Sequence, residues 1–124
     1  MEIVDANIVL RYLLGDNPEM QKNACQVIDN QIVLLLDEVL AEIVYVLEKV
    51  YQVNRQDISN TLIRLINQPG IICRNSNISI ATLLYYSEYK IDFIDCILLA
   101  YSTVEHRKIH TYDKKLLKLI AKLK

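Results

Sequence analysis

Met1–Gly15 reads MEIVDANIVLRYLLG, and the order of its residue types decides the fold class. A short strand over Met1–Asp5 passes straight into a helix over about Ala6–Leu14, with apolar residues recurring at helical spacing until Gly15 stops it. The same alternation continues downstream. Asn17-Pro18 opens a helix to about Asn30, Pro supplying a pre-set first turn. Ile32–Leu36 is an apolar run of strand length, and Asp37 caps a helix to about Tyr51. Asn54 with Asp57 three residues on forms a capping arrangement for Arg55–Asn67. Pro69-Gly70 turns the chain into a strand at Ile71–Arg74. Asn77 opens a helix to Tyr89, Asp92 caps Phe93–His106, Lys108–Thr111 is a fourth strand, and Asp113 begins the last helix. Short apolar strands separated by helices predict an α/β fold, a parallel sheet of about four strands with helices on both faces.

With 124 residues, the chain fits one domain, residues 1–124. Hydrophobic residues make up 52%, with 2 Gly and 2 Pro, as a compact helix-rich domain with short connections requires. No apolar run approaches the roughly 18 residues of a membrane span, and the N-terminus begins acidic rather than basic, unlike a secretory signal. The expected location is the cytoplasm. Cys25, Cys73 and Cys96 lack the spacing of a zinc site or a disulfide framework and read as free thiols.

Four acids stand in unusual places. Asp5 is the only charge in IVDANIVL (3–10), Glu42 in VLAEIVYVL (39–47) and Asp95 in FIDCILLAY (93–101), while Asp113 follows IHTY. A carboxylate drawn into apolar surroundings is costly unless a cation or hydrogen bonds compensate it. In a parallel α/β sheet ligands gather at the carboxyl ends of the strands, where Asp5 and Asp113 fall. A shared divalent cation, Mg²⁺ or Mn²⁺, is the simplest reason for such a set. Asp92, three residues before Asp95, shares its helix face but reads more simply as the helix cap.

Net charge near −1 hides an asymmetry: residues 107–124 carry seven Lys/Arg (Arg107, Lys108, Lys114, Lys115, Lys118, Lys122, Lys124) against Asp113 alone. Such an end can grip a phosphate backbone, or it can be a solvated helix face. His106 and His110 fall at a helix end and within a strand, an arrangement that does not favour an acid–base pair. Tyr85, Tyr86, Tyr89 and Tyr101 can stack bases, but their helical spacing in apolar segments favours core or interface.

The blocks IVDANIVLRYLLG (3–15), AEIVYVLEKVY (41–51), IDFIDCILLAY (91–101) and TYDKKL (111–116), in this order, resemble the motif blocks of PIN-domain ribonucleases, and more narrowly VapC-type toxins of type II toxin–antitoxin pairs. The resemblance implies a PIN-like three-layer α/β/α fold, with Asp5, Glu42, Asp95 and Asp113 as the acidic catalytic and metal-binding quartet. Asp5 and Asp95 would be the main ligands of Mg²⁺ (or Mn²⁺), supported by Glu42 and Asp113. Thr111 matches the hydroxyl residue that steadies the last acid, and Asn7 a small polar position beside the first. It further implies RNA as substrate, a cognate antitoxin as partner and a homodimer. Two departures stand out: Tyr112 where Phe is common, and no further strand after the last helix. Two alternatives compete, a receiver-like Mg²⁺-binding signalling domain and a catalytically silent module that keeps the fold. The first is disfavoured because only Asp5 follows the first strand.

Overall fold

The computed structural model describes residues 1–124. Its elements run β1 (Glu2–Ile3), α1 (Ala6–Leu14), α2 (Pro18–Asn30), β2 (Val33–Leu34), α3 (Asp37–Lys49), α4 (Arg55–Ile66), β3 (Ile71–Ile72), α5 (Ser76–Glu88), α6 (Phe93–Val104) and α7 (Lys114–Leu123). The three strands form one parallel sheet in the order β1-β2-β3, so the helical pairs α1–α2 and α3–α4 are the crossovers that parallel pairing demands. The α/β class is as the sequence predicts.

Pairing register sorts the strand residues into two rows. Glu2, Val33 and Ile71 are partners, as are Ile3, Leu34 and Ile72. In the first row Val33 and Ile71 are buried, continuing into a core with Val4, Leu35, Leu40, Ile43, Leu62, Leu83, Leu99 and Leu116. The second row is only partly covered: Ile3 is 63% and Ile72 38% exposed.

The fourth strand does not form. Lys108–Thr111 has no regular structure and no backbone hydrogen bond to a strand. Lys108 and His110 are exposed while Ile109 and Thr111 are half-buried, so this segment has little apolar surface to anchor a strand edge. The other predicted strands are shorter than expected, because only the paired residues keep ladder geometry.

Helix boundaries follow the capping chemistry, with two corrections. Asn17 accepts from the Met20 amide and Asn54 from the Asp57 amide, as predicted, and Gly15 takes the left-handed conformation (φ 64°) that closes α1. Asn75, not Asn77, caps α5 by accepting from the Ile78 amide. Asp37 is the first helical residue of α3 rather than its cap, a position Leu36 takes without a side-chain bond; its charge still favours the positive helix end.

Candidate active site

The acids occupy helix starts and one helix face. Asp5 leaves β1 in extended conformation and caps α1, its Oδ1 accepting from the Ile8 amide at 3.0 Å. Asp113 does the same for α7, with Oδ1 accepting from the Leu116 amide at 2.9 Å. The Asp113 amide in turn donates to Thr111 Oγ1 at 3.1 Å, a local turn that fixes how this acid enters the helix. In both caps one carboxylate oxygen stays free. Asp95 lies in the first turn of α6, and Glu42 in the second turn of α3.

The premise that apolar neighbours draw these acids inward is corrected. Asp5, Glu42 and Asp113 are exposed, and only Asp95 is half-buried. The reason is helical geometry: Leu40, Ile43, Val44 and Leu47 form the buried stripe of α3, and Glu42 and Tyr45 fall on the other side of it. An apolar run in sequence is not an apolar environment in space.

Asp95 and Asp113 nonetheless lie within electrostatic reach of each other, though 18 positions apart in sequence. Burial, and then the charges of Asp113 and Asp92, hold the Asp95 carboxyl above the usual carboxylate range. The favourable dipole of α6 does not outweigh these. Asp92 holds the cap position of α6 by backbone, but its side chain makes no capping bond. Asp92 therefore stands at the expected cap position without the side-chain bond, and its carboxylate is free to act on Asp95.

None of Asp5, Glu42, Asp92, Asp95 and Asp113 takes part in an ion pair; the four salt bridges lie elsewhere. An all-carboxylate set free of protein cations has the donor chemistry of a hard divalent ion. The convergence is incomplete, because no three acidic, His or Cys side chains are placed to hold one ion together. Asp95 lies within electrostatic reach of Asp113 and Asp92, but these three do not converge on one point, and neither Asp5 nor Glu42 joins them. Asn7 is exposed on α1 without a side-chain hydrogen bond.

A model of the PIN domain family matches residues 3–123. The chain belongs to the PIN domain family. PIN domains are generally nucleases, and the short parallel sheet flanked by seven helices fits that fold. The match sets aside a receiver-like domain. No curated protein and no solved structure matches the chain. No helix of this PIN domain is long and apolar enough to cross a membrane.

The histidines are exposed and line different cavities, His106 beside Arg107 and Lys108, His110 beside Tyr112 and Leu117. Tyr86 is a core residue, 2% exposed, and Tyr85 bonds Thr103 through its hydroxyl, as the packing reading requires.

What the sequence concealed is a polar hub beside these acids. Arg55 Nε donates to Glu48 at 3.1 Å, and Nη1 donates to the carbonyls of Tyr86, Tyr89 and Ile91 at 3.2, 2.9 and 2.8 Å. The guanidinium lies over the Tyr86 ring, 4.1 Å from its centroid, and the Tyr86 hydroxyl donates to Glu48. That bond, with Lys49 and Arg55, keeps the Glu48 carboxyl below the usual range, while burial and Glu48 push the Tyr86 phenol well up. Ile91 directly precedes Asp92, so the hub fixes the chain where it enters α6. Nothing in the spacing of these residues signals it, since the partners lie 7 to 38 positions apart.

Proposed function

We propose that this PIN domain is a Mg²⁺-dependent endoribonuclease, the toxin of a type II toxin–antitoxin pair. The observation that carries the reading is the PIN domain match over residues 3–123; Asp95 and Asp113, at the starts of α6 and α7 and within electrostatic reach of each other, are engaged by no protein cation. Two carboxylates held close favour binding a cation between them. Asp5 and Glu42 complete the proposed set, and Mn²⁺ has the same donor preference. A divalent ion bound there supplies charge neutralisation for a phosphodiester and acidifies water.

The chain's own groups provide the rest. Thr111 holds Asp113 in place, the Asp5 and Asp113 caps leave one oxygen each for a ligand, and Arg55 secures the α6 start. The Lys-rich α7 attracts the RNA backbone to the same helix that begins with Asp113. An antitoxin segment bearing a cation would compete for the acids, and the exposed apolar residues Ile3, Ile32 and Leu84 offer area for that partner or for a homodimer.

The test is purified protein with labelled RNA in Mg²⁺, in EDTA, and as Asp5→Asn. Cleavage is expected only with metal and the native acid; cleavage that persists in both controls removes the reading. Growth arrest on expression, relieved by the same substitution, separates a toxin from a housekeeping nuclease.

A further inference from the structure

A cavity of about 390 Å³ opens between α3 and the start of α6, with Asp92 at its edge. Its apolar wall is built from Val44 and Tyr45 of α3 and Phe93 and Ile94 of α6. Tyr45 and Ile94 remain 63% and 57% exposed, so two large side chains stand at the rim without packing partners. The hub residues Arg55 and Glu48 also line it. Arg55 uses Nε and Nη1 within the chain, whereas Nη2 has no protein partner. A guanidinium held by four bonds, with one nitrogen left over, is a donor fixed in advance.

We propose that this cavity is a nucleobase subsite, seating an unstacked base of single-stranded RNA against Tyr45 with an acceptor edge toward Arg55 Nη2. The proposal rests on the nuclease reading for its biological setting. Three features select a base over a protein side chain. An exposed aromatic ring at a cleft rim offers a stacking face that any base can use. Four of the ten lining residues are charged, Glu48, Lys49, Arg55 and Asp92, whereas the core of a protein–protein interface is depleted in charge. The cleft also adjoins Asp92, one turn from Asp95, so a base seated there belongs to a nucleotide next to the acids. Guanine fits best, because O6 and N7 are adjacent acceptors while adenine presents its N6 donor.

The experiment is titration of the purified protein, without metal, by GMP, AMP, CMP and UMP, followed by backbone amide NMR shifts, for wild type, Tyr45→Ala and Tyr45→Phe. Tyr45 is exposed, so neither substitution threatens the fold. GMP is expected to bind most tightly and to shift amides at Tyr45 and Ile94. Tyr45→Ala should weaken it about 5- to 150-fold, the range of one lost base stack, and Tyr45→Phe should restore it. On RNA, Tyr45→Ala should raise KM more than it lowers kcat. Nucleotide affinity unchanged in Tyr45→Ala, or shifts confined to another surface, overturns the proposal. So does a Tyr45→Ala protein that sediments as a smaller species while binding GMP normally, since the rim is then a contact between copies. If wild type binds GMP in this cleft but never cuts RNA, the nuclease reading fails and the subsite stands.

Discussion

Replacing Arg55 with methionine keeps an unbranched apolar stem and removes one guanidinium. The three carbonyls of Tyr86, Tyr89 and Ile91 then lose their shared donor, and Glu48 keeps only Lys49 as a cationic neighbour. Nη1 has two hydrogens for three acceptors, so about two full bonds are at stake, each worth roughly 1.5–3 kcal/mol when the donor is charged. Against this, the Arg55 and Glu48 side chains are 26% and 23% exposed, and water can enter from the cleft to satisfy part of what is orphaned. The expected loss is therefore about 2–4 kcal/mol, at the low side of what breaking a buried pair costs. Urea unfolding of wild type, Arg55→Met, Glu48→Gln and the double variant measures it at constant m. The double variant should lose less than the sum of the singles, because Glu48 and Arg55 share the hub. A loss below about 1 kcal/mol for Arg55→Met, or strict additivity, refutes the idea that this hub ties α3, α4 and α5 to the start of α6.

Glu48 also predicts a pH dependence. Its carboxyl is held below the usual range by Tyr86, Lys49 and Arg55, so its contribution is complete above the unfolded carboxylate pKa and lost as pH falls through the folded one; Glu48→Gln should flatten the urea midpoint between neutral pH and the acid side. Asp95 works in the opposite direction: burial and its acidic neighbours disfavour its charge, so Asp95→Asn should raise the urea midpoint at neutral pH while abolishing RNA cleavage. Asn75→Ala should cost about 1 kcal/mol as a lost cap, while Asn77→Ala, without a capping bond, should stay within about 0.5 kcal/mol. The Cys96 thiol is fully buried and pushed up to about 12, and Cys73 is also buried and raised; a thiol reagent at neutral pH should label Cys25 promptly and the other two only on unfolding.

The fold was legible where local chemistry and tertiary structure agree. The Asp5-to-Gly15 unit, the Asn17-Pro18 start and the Asn54 cap are short-range arrangements whose partners lie within four residues. The missed strand at Lys108–Thr111 depended on a long-range pairing that its one strongly apolar residue, Ile109, could not secure. For the site, the sequence located the acids but misjudged their surroundings. The residues flanking Glu42 are apolar, yet they turn toward the core while Glu42 faces solvent. Asp92 looked like a cap because its position is one, but only side-chain geometry reveals that the bond is not made. The Arg55 hub was invisible because it joins four helices through main-chain carbonyls, which carry no sequence signal.

The central claim is that Asp95 and Asp113, at the starts of α6 and α7, bind a cation in a set that Asp5 and Glu42 complete, and paramagnetic Mn²⁺ tests it directly. Added in substoichiometric amounts to isotope-labelled protein, Mn²⁺ should broaden amides around Asp5, Asp95 and Asp113 first, with excess Mg²⁺ reversing the effect and Asp95→Asn abolishing it. Broadening spread evenly over surface carboxylates, or left unchanged by Asp95→Asn, would contradict the account.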